Sequence, residues 1–197
     1  FYAEHSRKDL MLSSFDGKNW RNETVDGNGV DVQNYKELER RRTASDVSVS
    51  NACLVIDETT NVFYRDETQG ILLGASKADG VWNYEIIDGD LNTDGRTTGD
   101  VGFDVATITH SGKTFLIYDS VNAINSSNNR IESNLRLAYR NSKVQSRWYY
   151  RDLKSNNVED SLVQPYLSLT ESNKEITAAW ISSSRNLKSR KIHFLNL

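Results

Sequence analysis

The residues between positions 88 and 100, DGDLNTDGRTTGD, have the spacing of a calcium-binding loop. Asp90, Asn92 and Asp94 alternate and are followed by Gly95, so that three side-chain oxygens point inward when the loop curls. A bidentate Glu would close an EF-hand loop at its twelfth position, where this chain has Val101 instead. The loop therefore predicts Ca²⁺ held by a set of oxygen ligands drawn from Asp88, Asp90, Asn92, Asp94, Arg96 (through its carbonyl), Thr98 and Asp100. A solvated, Asx-rich turn is the alternative interpretation.

This loop lies between two units of a repeat. Val47 stands 17 residues before Tyr64, Val101 stands 17 before Tyr118, and Val163 stands 17 before Trp180. Each pair brackets a strand, a tight turn and a second strand, and a copy without its first strand opens the chain at Phe1-Tyr2. A period of roughly 50 to 60 residues built from short strands is typical of propellers and related arrays.

Each repeat continues with a short apolar third strand and a fourth strand that carries a tryptophan. Trp20, Trp82 and Trp148 mark the fourth strands, and no tryptophan follows the last third strand. The repeats fall at residues 1–25, 46–88, 100–154 and 162–197. The sequence predicts an all-β fold, a single propeller domain or propeller fragment of about four blades. Counted by strands, these are three and a half four-stranded blades. Propellers need about four to eight blades, so we expect part of a larger ring, a small incomplete ring, or a ring completed by a second chain or segment.

The turns before two of these tryptophans resemble a known motif. Ser14-x-Asp16-Gly17-x-x-Trp20 and Ser76-x-x-Asp79-Gly80-x-Trp82 look like the Asp-box, or BNR, turn of sialidase-like β-propellers, with the glycine displaced. The resemblance implies the propeller fold. It also implies that Asp and Ser cap the turn while Trp packs between blades, with a sugar-stacking Trp as the alternative.

The same resemblance implies what a catalytic set would contain. Sialidases use arginines for the substrate carboxylate, a tyrosine–carboxylate nucleophile pair and an aspartic acid. The matching candidates are Arg65, Asp66, Tyr118, Asp119 and Arg130. Their spacing does not single them out, because an aspartate after a strand-ending tyrosine is also an ordinary turn former.

Composition narrows the classes of partner. The chain has 197 residues, is 37% hydrophobic, and carries a net charge of −3, which gives no attraction to nucleic acid or an anionic membrane. No run is long enough for a membrane span. The single cysteine, Cys53, excludes an internal disulfide, and its apolar strand Ala52–Ile56 predicts that it is buried.

These observations favour a non-catalytic binding module, secreted, at the cell surface or periplasmic, that presents loops to a glycan or protein partner. The long connections 26–45 and 119–134 are predicted to carry its specificity. A sialidase-like glycoside hydrolase or polysaccharide lyase is the alternative, and a purely structural assembly scaffold is a third.

Overall fold

The computed structural model describes residues 1–27, 46–90, 94–98, 100–125, 130–142, 147–155, 161–172, 175–184 and 190–196. The described elements are β-strands, so the all-β prediction is confirmed. The strands are β1 Tyr2–Glu4, β2 Asp9–Phe15, β3 Trp20–Asp26, β4 Asn51–Ile56, β5 Thr59–Asp66, β6 Ile71–Ala78, β7 Val81–Asp88, β8 Asp100–His110, β9 Lys113–Asn125, β10 Arg130–Asn141, β11 Tyr149–Ser155, β12 Ser161–Ser172, β13 Glu175–Ser184 and β14 Arg190–Asn196.

The strands form four antiparallel sheets, each ordered as its strands follow in sequence. Sheet 1 contains β1–β3, sheet 2 contains β4–β7, sheet 3 contains β8–β11 and sheet 4 contains β12–β14. The described part of the chain closes none of these sheets on itself. The sheets coincide with the predicted repeats, and the predicted third and fourth strands are found in place.

Local turn chemistry explains why the strands reverse where they do. Asp79 and Gly80 link β6 to β7 with φ angles of 51° and 80°, a conformation that glycine and aspartate tolerate better than other residues. In sheet 1, Asp16 Oδ1 accepts hydrogen bonds from the backbone N–H groups of Lys18 (2.9 Å) and Asn19 (2.8 Å). The aspartate side chain therefore closes this turn, as its position in the sequence predicts.

Consecutive sheets pack face to face through alternate side chains of the same strands. Leu73 joins the hydrophobic cluster between sheets 1 and 2, whereas its neighbour Leu72 joins the cluster between sheets 2 and 3. Because successive residues of a strand point to opposite faces, a strand covered on both sides is apolar throughout. The first strands also contact one another in succession, β4 with β8 and β8 with β12.

Tryptophan packing differs between the sheets. The Trp82 ring meets Phe1, the residue before β1, edge-on at 6.3 Å, and the Trp148 ring meets Phe63 of sheet 2 at 6.1 Å. Trp20 was also expected between blades, but 68% of its surface is exposed. The prediction fails for Trp20 because each tryptophan packs on the preceding sheet, and the described residues contain none before sheet 1.

Two further expectations are wrong. The predicted loop 119–134 is largely strand, because β9 continues to Asn125 and β10 begins at Arg130. Cys53 is exposed. Ala52 and Leu54 face the cluster between sheets 2 and 3, so Cys53 points the other way, where the described part of sheet 1 has no strand equivalent to β4.

Among the residues that the structure describes, no helix is long and apolar enough to cross a membrane. The other predicted specificity loop, 26–45, lies beyond Gly27 outside the described residues.

Candidate functional site

Asp88 is the centre of a buried polar network between sheets 2 and 3. Its Oδ2 accepts hydrogen bonds from Tyr118 Oη (2.6 Å) and Arg136 Nε (2.8 Å). Its Oδ1 accepts from the backbone N–H groups of Gly89 (2.9 Å) and Thr97 (2.7 Å). Four donors therefore satisfy a carboxylate that is fully buried, which is the condition under which a buried charge is tolerated.

Arg136 ties this network to the loop that follows β7. Besides Asp88, its guanidinium donates to Asp152 Oδ1 (2.7 Å) and to the carbonyl of Gly95 (2.5 Å). Burial by itself would lower the pKa of Arg136, but the charges of Asp88 and Tyr118 and the hydrogen bonds to Asp88 and Asp152 together raise that pKa above its ordinary value. Gly95 is required here because its φ is +86° and a Cβ would lie 2.9 Å from the Tyr150 ring.

The junction between sheets 1 and 2 repeats the core of this arrangement. Tyr64 Oη donates to Asp26 Oδ2 as Tyr118 does to Asp88, and the N–H of the following glycine, Gly27, donates to Asp26 Oδ1 (2.7 Å). Asp26 and Asp88 are 62 residues apart. A Tyr–Asp hydrogen bond is thus a repeated link between neighbouring sheets.

The fourth-strand tyrosines repeat in the same way. Tyr84 donates to the carbonyl of Val25, and Tyr150 donates to the carbonyl of Ile87, each the residue before the linking aspartate. Burial, and then the charge of Asp88, raise the pKa of Tyr150. The phenol therefore stays a hydrogen-bond donor at neutral pH.

A third repeated link is a charge pair beside each buried tryptophan. Lys77 bonds to Glu23, and Arg140 Nη1 bonds to Glu85 at 2.8 Å. The Arg140 guanidinium also lies 4.3 Å from the Trp148 ring centroid, and Lys77 Nζ lies 5.7 Å from that of Trp82. The sequence repeat is thus accompanied by equivalent side-chain contacts at the junction of sheets 1 and 2 and at the junction of sheets 2 and 3.

Arg65, a candidate catalytic residue, is buried in the junction between sheets 2 and 3. Its guanidinium donates to Glu67 (2.5 Å), to Asp100 Oδ1 (2.6 Å) and to the carbonyl of Val101, and it lies 3.7 Å from the Phe103 ring centroid. Each of the three nitrogens of the group therefore has an acceptor within the protein. Arg65 holds the start of β8 against sheet 2 and is not presented to a ligand.

The other catalytic candidates are dispersed by the fold. Tyr118 faces sheet 2, and its pKa is raised well above the ordinary value by burial and then by Asp88. Asp66 is fully buried, and its Oδ1 accepts from the N–H of Gln69 (3.0 Å). Arg130 opens β10, where its backbone pairs with Asn125. Asp119 follows Tyr118 and so points to the opposite face, toward sheet 4.

The predicted calcium loop is held by arginines at three of its carboxylates. Asp88 bonds to Arg136 and Asp100 to Arg65, and Asp94 Oδ1 lies 3.5 Å from Arg147 Nη2. Of the remaining predicted ligands, Asp90, Arg96 and Thr98 are described, and Asn92 lies outside the described residues. Calcium there stays a prediction, and the ion would compete with these guanidinium groups.

Asp119 is a buried carboxyl in an unusual environment. It is 5% exposed, and no hydrogen-bond donor in the described part of the chain reaches its Oδ1. Burial, and then the nearby carboxylate of Asp104, raise the pKa of Asp119 to about 8. Burial also raises the pKa of Asp104.

Two exposed rings form an aromatic surface on sheet 1. Phe15 and Trp20, a cross-strand pair on either side of the β2–β3 turn, have ring centroids 5.2 Å apart and are 55% and 68% exposed. Phe15 stands at the repeat position of Lys77 and Arg140. The cation that accompanies the two buried tryptophans is therefore replaced by a second ring.

Sequence reasoning missed Arg136 and Asp104. A signal for Arg136 existed, because an arginine between Leu135 and Leu137 interrupts an apolar strand at the position that Leu73 occupies in the preceding repeat. Asp104 gave no such signal, since its proximity to Asp119 depends on an irregularity in β8.

No protein-family model matches the chain, and no curated protein matches it.

Proposed function

We propose that this chain is a non-catalytic binding module of the β-propeller type that presents an exposed aromatic surface to a glycan or protein partner. The observation that carries the proposal is the exposed ring pair Phe15–Trp20, whose planes are inclined at 36°. Equivalent tryptophans are buried, Trp82 at 9% and Trp148 at 5% exposure. A large ring left in water is unfavourable in the free protein, and clustered exposed aromatic surface is typical of binding sites.

The propeller arrangement is supported by the repeated junctions. The same Tyr–Asp, Tyr–carbonyl and Glu–cation links join sheet 1 to sheet 2 and sheet 2 to sheet 3. A constant relation between neighbouring sheets generates a radial array when it is repeated. The Asp16 turn supports the Asp-box resemblance, and a second chain or segment would complete the ring.

A glycan is favoured over a further sheet as the occupant of the aromatic surface. The observed junctions each pair a cation of the later sheet with a glutamate of the earlier one. Sheet 1 has Phe15 at that position, so it lacks the charged half of such a junction. Two adjacent rings offer apolar faces of the kind that stack on sugar C–H groups.

The proposal of a non-catalytic role is supported by the burial of the candidate groups. Arg65 and Tyr118 are at most 1% exposed and are bonded within the inter-sheet links. A substrate carboxylate would have to displace Asp100 to reach Arg65. Such side chains stabilise the fold and are poorly placed to act on a ligand.

The test is affinity electrophoresis of the purified chain in gels that contain a neutral β-glucan, an alginate or a sialylated mucin. We expect retardation in at least one gel. Trp20→Ala should abolish it, and Tyr149→Ala, which removes another exposed ring (54% exposed) from sheet 3, should leave it intact. Unretarded wild-type protein in all three gels, or equal retardation of the Trp20 variant, would refute the glycan proposal.

A second candidate function, a glycoside hydrolase or lyase, is favoured by one observation. A carboxyl with a pKa of about 8, as in Asp119, is protonated at neutral pH and suits a general acid. Under this alternative, Asp119→Asn would abolish release of reducing ends from the same polysaccharides and leave gel retardation unchanged. No measurable release by the wild-type protein would exclude this alternative for these substrates.

A further inference from the structure

Asp104 and Asp119 are brought together by an irregularity in the pairing of β8 with β9. Phe103 pairs with Asp119, and the next paired residue of β8 is Ala106, which pairs with Ile117. Asp104 and Val105 therefore oppose the single residue Tyr118 and form a bulge beside Asp119. Asp104 adopts a φ of 50°, a left-handed conformation that is uncommon for residues other than glycine, asparagine and aspartate.

The bulge leaves an incomplete set of partners around a buried carboxyl. The N–H of Ser120 bonds to Asp119 and the carboxylate of Asp104 acts on it, but Asp119 Oδ1 has no hydrogen-bond donor among the described residues. A buried acceptor without a donor costs free energy, and two ionised carboxylates side by side repel each other. A cation bound from solution would resolve both costs.

We propose that Asp104 and Asp119 bind a divalent cation, with calcium as the best match to the ligands present. Calcium takes oxygen ligands in a flexible geometry, including carboxylates and backbone carbonyls. The two carboxyl groups supply the charge. The bulge interrupts the β8–β9 ladder at Asp104 and Val105, which makes the backbone carbonyl oxygens there candidates for further ligands.

The charge that acts on Asp119 is the carboxylate of Asp104, and two such neighbours favour a cation between them. Arg65 lies on the other side of β8, in the junction with sheet 2, where its guanidinium is used on Glu67, Asp100 and the Val101 carbonyl. Val105 N–H donates to Ser50 Oγ (3.3 Å) and so is not directed at Asp119. The alternative to a metal ion is a shared proton, and the pKa of about 8 for Asp119 is consistent with a site that takes up positive charge.

This site is independent of the predicted calcium loop and of the proposed glycan surface. It shares no residue with positions 88–100, and no three His, Cys, Asp or Glu side chains in the described chain form a metal cluster.

The test is thermal unfolding of the chelator-treated full chain at pH 8.5, with and without calcium, beside a magnesium series. A ligand at about 100 times its Kd raises the midpoint by roughly 5 to 10 °C in a protein of this size. We expect such a shift in the wild type. Asp119→Asn and Asp104→Asn should each lose it. Asp94→Asn, in the loop 88–100, is the matched control and should retain it.

Calorimetric titration with calcium chloride at pH 8.5 provides a second measurement. We expect heat of binding in the wild type and in Asp94→Asn, and none in Asp104→Asn. No shift and no heat in the wild type would overturn the proposal in favour of a shared proton. A calcium response lost only in Asp94→Asn would also overturn it, and would assign the ion to the loop 88–100 instead.

Discussion

Replacing Arg136 by leucine tests the central network most directly. Leucine is the residue at the equivalent position of the preceding repeat, Leu73, so the substitution suits the strand and its apolar neighbours. It removes the donors to Asp88, Asp152 and the Gly95 carbonyl. Asp88 stays fully buried and keeps three of its four donors, from Tyr118, Gly89 and Thr97.

The expected loss in the free energy of unfolding depends on the hydrogen-bond donors that remain around Asp88. Removing one partner of a buried ion pair costs about 3 to 5 kcal/mol. The three surviving donors place this case at the lower end, about 3 kcal/mol. A domain with a free energy of unfolding of about 5 to 15 kcal/mol should survive the change, so that the loss can be measured by urea unfolding followed by tryptophan fluorescence at pH 7.

Two further variants make the result specific to the pair. Asp88→Asn combined with Arg136→Leu should cost less than the sum of the single changes, with a coupling of about 1 to 3 kcal/mol. Arg147→Ala is the matched control. Its pair with Asp94 spans 3.5 Å between side chains that are 61% and 63% exposed, so it should cost under about 0.5 kcal/mol. Additive single changes, or equal effects of Arg136→Leu and Arg147→Ala, would refute the reasoning.

Three other predictions concern side chains whose surroundings the fold decides. In the folded state the pKa of Asp119 is raised to about 8 from 3.8. The contribution of this group to the free energy of unfolding is therefore full below pH 4 and is lost as pH rises toward 8. With a chelator present, Asp119→Asn should therefore be more stable than the wild type, on the order of 4 kcal/mol at pH 7. Equal urea unfolding midpoints of the wild-type protein at pH 4 and pH 8 would contradict this. Cys53 should react with a thiol reagent in the native protein as fast as in urea, and protection would contradict its exposure. Trp148→Ala should cost about 3 to 5 kcal/mol and Trp20→Ala under about 1 kcal/mol, and similar unfolding midpoints for the two would count against the packing described.

The strands and turns were predictable because their signals are local. A two-residue hairpin turn requires positive φ angles, and Asp79 and Gly80 are residue types that adopt them. The apolar runs around Tyr64 and Leu73 mark strands covered on both faces. Such features depend on residues within a few positions of one another, so the sequence alone carries them.

The extent of the β9–β10 hairpin was not predictable in this way. Asn122 and its neighbours are polar and typical of loops, yet the backbone of Asn122 pairs with Glu132. A ladder hydrogen bond joins backbone groups and does not depend on an apolar side chain. Composition therefore underestimated how far the two strands continue.

The repeat, the strand order and the residue types available at each position can be read from the chain alone. Which of these residues are buried, and which groups they pair with, depends on how the sheets pack. Trp20 and Trp148 occupy the same place in the repeat, but within the described residues only Trp148 lies against a preceding sheet. Asp88 and Arg136 are 48 residues apart in the chain and share a hydrogen bond of 2.8 Å. Burial and charge pairing depend on the neighbouring sheet, and that neighbour is placed by long-range packing that no local pattern encodes.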